Sequence, residues 1–266
     1  MQALIYTAPH EVALRELAAP SAAPGSVRLR VDAVGICGSD LHAYRGHDPR
    51  RVPPLVLGHE FVGTAMDGPQ AGQRFTANPL VTCGVCRYCR QDRSNLCSDR
   101  SMIGMNLPGA FAEQLLVPER CLVAVPERLP DAAAALAEPA ATVLHACRLA
   151  ERMLAQPWAL TRALVLGAGA IGLLATLWLQ HRGVAVLQVV ETNPLRAQAL
   201  QQTTGLHALT DTVPQSAFDF VFDAVGVAAC CFPALRSRCW WAWPPRFWAA
   251  TTRARCCSLR CCWAGR

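Results

Sequence analysis

Residues 1–125 carry short apolar and β-branched runs at 2–6, 27–34, 61–65, 112–117 and 121–125, separated by proline and glycine. That pattern predicts strands of a barrel-like β domain, with Pro20, Pro24, Pro53 and Pro54 marking loops. The period then changes. An alanine-rich stretch over 131–151 predicts a helix, with Asp131 as N-cap and Pro139 interrupting it. From 163 onward, apolar strand-like runs (163–166, 185–190, 218–223) alternate with helical segments (173–182, 194–203), and a glycine turn lies at 167–172. Strand–helix alternation of this length predicts a parallel sheet, so the fold class expected is α/β. The divisions expected are a β-rich domain over 1–150, a partial parallel-sheet domain over 151–229, and a separate tail over 230–266.

Composition narrows the class. With 52% hydrophobic and 17% charged residues, the chain can build a core and is not disordered. Residues 163–180 are uncharged and long enough to raise a membrane span, but Gly167, Gly169 and Gly172 and the strand-like start favour a buried strand–turn–helix. No basic segment precedes an apolar one at the start, which leads us to expect a cytoplasmic protein whose 14 cysteines are thiols or metal ligands. All 25 basic residues are arginine, and the excess over acids lies in residues 227–266. The remainder is nearly neutral and lacks an aromatic–basic stripe, which argues against a nucleic-acid module.

Three stretches carry chemistry. Gly35-Ile36-Cys37-Gly38-Ser39-Asp40-Leu41-His42 follows a strand and places a thiol, a hydroxyl, a carboxylate and an imidazole close together. Cys37 is a candidate zinc ligand, Asp40 a candidate to orient a histidine ligand, and Ser39 with His42 a candidate proton path. Cys37 as a small buried hydrophobe is the alternative. Gly58-His59-Glu60 and Glu138 add imidazole and carboxylate candidates for a site with an open zinc position. Cys83, Cys86, Cys89 and Cys97 form C-x2-C-x2-C-x7-C, the spacing of a closed, structural zinc site; disulfides or chance clustering are the alternatives.

Gly167-Ala168-Gly169-Ala170-Ile171-Gly172 is G-x-G-x-x-G after a predicted strand, with Glu191 at the end of the next strand. In that context the glycines admit a pyrophosphate to a helix N-terminus and Glu191 accepts from ribose hydroxyls, predicting NAD in preference to NADP. Glycines that serve only close packing are the alternative.

Together these motifs resemble the zinc-dependent medium-chain alcohol dehydrogenase family, in its polyol and threonine dehydrogenase branch, from residue 1 to about 226. The resemblance implies a GroES-like β-barrel catalytic domain followed by a Rossmann domain, here incomplete, with the active site between them. It implies catalytic zinc on Cys37, His59 and Glu60, with Glu138 near the metal or substrate. Ser39 and His42 match the proton relay and Asp40 the partner of His59. Gly167, Gly169, Ile171, Gly172, Glu191 and Arg196 match NAD-contact positions. The implied reaction is hydride transfer from a secondary alcohol or polyol-like substrate to NAD, in a family whose members are homo-oligomers; for this chain that assembly is doubtful.

Beyond Gly226 the resemblance stops. Residues 230–266 hold seven cysteines and five tryptophans without helical or strand periodicity, as expected of a frameshifted tail or, alternatively, of a cysteine-rich interaction tail. The function expected is therefore a zinc- and NAD-dependent dehydrogenase, with an inactive zinc-binding remnant as the alternative.

Overall fold

The computed structural model describes residues 1–210, 218–226 and 239–240. Two units are resolved by their internal contacts, Met1–Glu138 and Pro139–Arg266.

In the first unit, β1 (Gln2–Ala8) and β2 (Glu11–Glu16) form a hairpin, followed by β3 (Ser26–Gly35), α1 (Gly38–Tyr44), β4 (Leu55–Val56), β5 (Glu60–Ala65) and β6 (Arg74–Ala77). Then come β7 (Leu80–Val81), β8 (Ser101–Met102), β9 (Gln114–Pro118), β10 (Leu122–Ala124) and α2 (Asp131–Ala134). A five-stranded antiparallel sheet has the order β10-β6-β5-β3-β9, and a three-stranded one the order β2-β1-β4. The core of the larger sheet is built from Val27, Leu29, Phe61, Phe75, Ile103, Leu115 and Val117. Each such side chain taken from water contributes roughly 1.5–3 kcal/mol.

The alternation misses the two-residue strands β4, β7 and β8, which are too short to show any period, and also β2 and β6. The β2 run is charged and largely exposed, and β6 is only four residues long, so neither shows an apolar repeat that distinguishes it from loop. Asp131 is not the N-cap expected of it. Pro130 takes that place, and the Asp131 carboxylate pairs with Arg74 at 2.9 Å. Nor does Pro139 interrupt a helix: α2 ends first, and Pro139 falls in the first turn of α3 (Ala137–Glu151), where a missing N–H costs nothing.

The second unit contains β11 (Arg162–Leu166), α4 (Ala170–His181), β12 (Val186–Val190), α5 (Pro194–Thr204), β13 (Phe220–Asp223) and β14 (Cys239–Trp240). All four strands are parallel, in the order β12-β11-β13-β14, and Leu209 bridges to Val190 beyond β12. Among the described residues this is the doubly wound arrangement with four strands, where the fuller form has about six. Trp158 packs edge-on to Trp178 and Phe220 at 5.2 and 5.1 Å, over a core that includes Val165, Leu179 and Val189. The 163–180 run divides between β11 and the twelve-residue α4, and no helix among the described residues is long and apolar enough to cross a membrane. The tail expectation is corrected at one point, where Cys239–Trp240 adds a short strand to the sheet; the rest of 230–266 lies outside the described residues.

Candidate metal and nucleotide sites

β3 ends at Gly35 and α1 begins at Gly38, so Cys37 stands at the turn as the helix N-cap. Asp40, in the first turn, accepts the Cys37 backbone N–H at 3.0 Å, and so fixes both its own carboxylate and the start of the helix. Across the sheet, Gly35 pairs with Glu60 in the β3–β5 ladder, which brings the neighbouring His59 and Glu60 to the same edge. The candidate ligand atoms of Cys37, His59 and Glu60 all lie within 4.8 Å of one another, with His59 and Glu60 buried.

Asp40 Oδ1 lies 3.5 Å from His59 Nδ1, leaving Nε2 as the free ligand nitrogen. Burial alone would lower the His59 pKa, but Asp40 and Cys37 outweigh it and carry the imidazole up to about 10. Burial raises Glu60, with Cys37 and His59 opposing and Asp40 adding. Glu138, in the first turn of α3, is likewise raised by burial; His59 opposes, and Glu60 and Asp40 add. It stands outside the group of three ligand atoms. Cys37, Asp40, Glu60 and Glu138 thus crowd four potential anions around one imidazole. A divalent cation is what such a donor set fits.

Ser39 has a partner outside the octet. Its Oγ accepts from Arg51 Nη2 at 3.0 Å, and the Arg51 side chain is fully buried. His42 lies one turn along α1, its ring 6.3 Å from that of His47. Sequence reasoning missed Arg51 and its partner Asp48. Nothing in the local sequence distinguishes Arg51 from Arg50 or shows that one of the two points inward.

The four-cysteine loop rises from the β7–β8 neck, where Leu80 pairs with Met102 and Val81 with Ser101. Its sulfur separations are 3.5 Å (Cys97–Cys83), 3.6 Å (Cys86–Cys89) and 4.0 Å (Cys83–Cys89). Four sulfurs about 2.3 Å from a central zinc would stand about 3.8 Å apart, whereas a disulfide needs about 2.05 Å. The spacing fits the metal and not the disulfide alternative. Cys86 is drawn down to about 6, chiefly by the Cys89 backbone N–H. Cys89 is pushed up to about 11, by desolvation first and then by the neighbouring Cys86. One thiolate suppressing the next is what a bound cation would relieve.

In the second unit Gly167 adopts φ +87°, and a Cβ on Gly172 would fall 1.8 Å from the Gly167 carbonyl oxygen. The turn therefore closes against the start of α4, with Gly169 as N-cap and Ile171 packed on the core. Glu191, buried at the end of β12, accepts from Ala168 N–H through Oε2 and from Asn193 N–H through Oε1, both at 2.8 Å. Burial would raise its pKa, but the Asn193 and Ala168 N–H groups, Arg196 and Thr192 lower it below the ordinary value. Arg196 sits on the first turn of α5, its own N–H capped by Asn193.

Two metal-type clusters, one with three donors and one closed by four thiols, on a β domain joined to a doubly wound sheet define a zinc dehydrogenase architecture. Residues 23–127 match the alcohol dehydrogenase GroES-like domain. The chain is 34% identical to an L-threonine 3-dehydrogenase of Mesorhizobium japonicum, covering 74% of this chain and 58% of that one. It is 32% identical to an L-threonine 3-dehydrogenase of Sinorhizobium medicae, covering 85% of this chain and 67% of the relative. An E. coli CFT073 alcohol dehydrogenase (rspB), solved in complex with NADH, superposes with a TM-score of 0.76 at 25% identity over 92% of this chain and 77% of that one. The chain belongs to the zinc-dependent medium-chain alcohol dehydrogenase family, in its polyol and threonine dehydrogenase branch. It spans between about half and two thirds of the length of the curated relatives it matches.

Proposed function

We propose that the protein is a zinc-dependent oxidoreductase that passes a hydride from a secondary alcohol or polyol-like substrate to NAD. The observation that carries this reading is the convergence of Cys37, His59 and Glu60 within 4.8 Å, three donors that leave one position of a tetrahedral zinc for substrate. Zinc held there would acidify an alcohol as it acidifies water, from 15.7 to about 7. Asp40, 3.5 Å from His59 Nδ1, would orient the ring, Ser39 would take the hydroxyl proton and pass its own toward His42, and Glu138, a buried carboxylate that feels the charges of His59, Glu60 and Asp40, would meet the metal or substrate. Cys83, Cys86, Cys89 and Cys97 would hold a second, structural zinc.

The turn at Gly167, Gly169, Ile171 and Gly172 is proposed to receive the pyrophosphate, with Glu191 on the adenosine ribose and Arg196 beside it. A carboxylate at Glu191 disfavours a 2′-phosphate, which supports NAD over NADP. NAD, when bound, supplies the hydride acceptor. The proposed partner is a small-molecule alcohol, in a cytoplasmic setting. The test is to purify the 266-residue chain, load it with zinc, and follow NADH formation over polyols, sugar phosphates and threonine. NAD-linked turnover that disappears on zinc removal is expected; a zinc-loaded chain that turns over no alcohol would overturn the reading.

A further inference from the structure

We infer that Arg51 is a positioning residue for this site, fixing the Ser39 hydroxyl and the Asp40 carboxylate behind the Cys37–His59–Glu60 cluster. Resting on the dehydrogenase reading, the inference assigns a role to a side chain that the motifs do not include.

The guanidinium is fully buried, and its contacts converge on the site. Nη2 donates to Ser39 Oγ at 3.0 Å and lies 3.9 Å from Asp40 Oδ1. Nη1 donates to Asp48 Oδ2 at 2.7 Å, and Nε to the Gly104 carbonyl at 3.2 Å. Asp48 does not neutralise Arg51 alone, because Arg50 also binds it, Nε to Oδ1 at 2.7 Å and Nη2 to Oδ2 at 2.9 Å. Two guanidiniums share one carboxylate, so Arg51 has positive charge left for Asp40 and Ser39.

Two consequences follow from the chemistry of the groups. A guanidinium has no acceptor, so Ser39 can only accept from it, and the Ser39 O–H must point elsewhere. In the proposed proton transfer the substrate O–H bond breaks and a bond to Ser39 Oγ forms, while the original Ser39 proton leaves toward His42. Arg51, by donating to Oγ, closes one direction to that proton and keeps a lone pair of Oγ engaged. Asp40 accepts the Cys37 N–H, while its Oδ1, which makes no hydrogen bond, lies 3.5 Å from His59 Nδ1 and 3.9 Å from Arg51 Nη2, so the Arg51 charge acts on the carboxylate that faces the His59 ring.

The experiment uses the full chain stripped of metal and titrated with Co(II), in wild type, R51Q and R51K, reading the visible bands of each cobalt site. The four-thiolate site is the internal reference. R51Q is expected to weaken cobalt at the His59 site about tenfold, the low end of what loss of an outer-shell supporting group costs, while the four-cysteine site is unchanged. In the same variant kcat for alcohol oxidation should fall at least about tenfold with KM within about twofold. R51K should keep most of the cobalt affinity, because it keeps the charge.

Wild-type cobalt affinity and kcat in R51Q would overturn the inference. So would loss of metal from both sites in step with a lower unfolding temperature, which is the mark of a merely structural residue. If R51Q fails to fold, R51Q/D48N removes both buried charges together and is read in the same way. If the wild type turns over no alcohol, the dehydrogenase reading fails while the cobalt arm still decides the role of Arg51.

Discussion

Gly35 and Glu60 face each other across the β3–β5 ladder so closely that a Cβ on Gly35 would lie 2.6 Å from Glu60 Oε2. The carboxylate occupies the space that any other residue's side chain would fill. Gly35→Ala should therefore displace Glu60 and loosen the three-donor group, while the four-cysteine loop is untouched. The expected result is loss of one of two zinc equivalents, measured by metal analysis of purified variant. Full retention of both would mean that Glu60 moves without consequence for the metal.

For the loop, Cys89→Ser is expected to release the other zinc and to open residues 83–97 to protease. The loop has little apolar mass, and its fold depends on the metal tying together sulfurs that now stand 3.5–4.0 Å apart. Limited proteolysis with and without a chelator checks this. A Cys89→Ser protein with unchanged metal content contradicts it.

Gly172→Ala is expected to destabilise the second unit by about 3 kcal/mol, the upper end of what overpacking costs. The added methyl would meet the Gly167 carbonyl at 1.8 Å, and neither α4 nor the turn can retreat without moving Leu164–Leu166 or Ala224. Thermal unfolding of the variant is the measurement, with NADH binding by fluorescence as the second.

Glu191 should bear on stability and, in the proposed function, on cofactor choice. Its folded pKa lies below the ordinary 4.5 because the Asn193 and Ala168 N–H groups favour the carboxylate more than burial opposes it. The stabilisation it gives is complete above 4.5 and is lost as pH falls through the lower folded value. Glu191→Gln should cost about 1–3 kcal/mol at neutral pH, flatten the acid limb of the stability curve and narrow the preference for NAD over NADP. Unfolding titrations at a series of pH values, with NAD and NADP titrations alongside, check the three together.

Much of the candidate site was legible because its chemistry is local in the chain. The four cysteines lie within fifteen residues, the octet at 35–42 is contiguous, and the glycine turn precedes its acid by a fixed stretch of strand and helix. Such spacings state which donors belong together before any fold is known. The β strands with apolar runs and the strand–helix alternation were legible for the same reason, while β2 and β6 were not, since one is charged and the other too short to show a period.

Tertiary structure alone decided how separate stretches meet. The β3–β5 register sets Glu60 against Gly35 and so brings His59 to Cys37 from more than twenty residues away. Nothing in the sequence singles out Arg51, yet it is buried because Asp48, Ser39 and the Gly104 carbonyl converge around it. Glu191 is legible as a candidate ribose contact, but its grip on the glycine turn through Ala168 is not. The physical reason is the same in each case. A hydrogen bond or a shared ligand depends on angles and on distances of a few ångströms, and residues distant in the chain acquire these only when the sheets are paired and the core has closed.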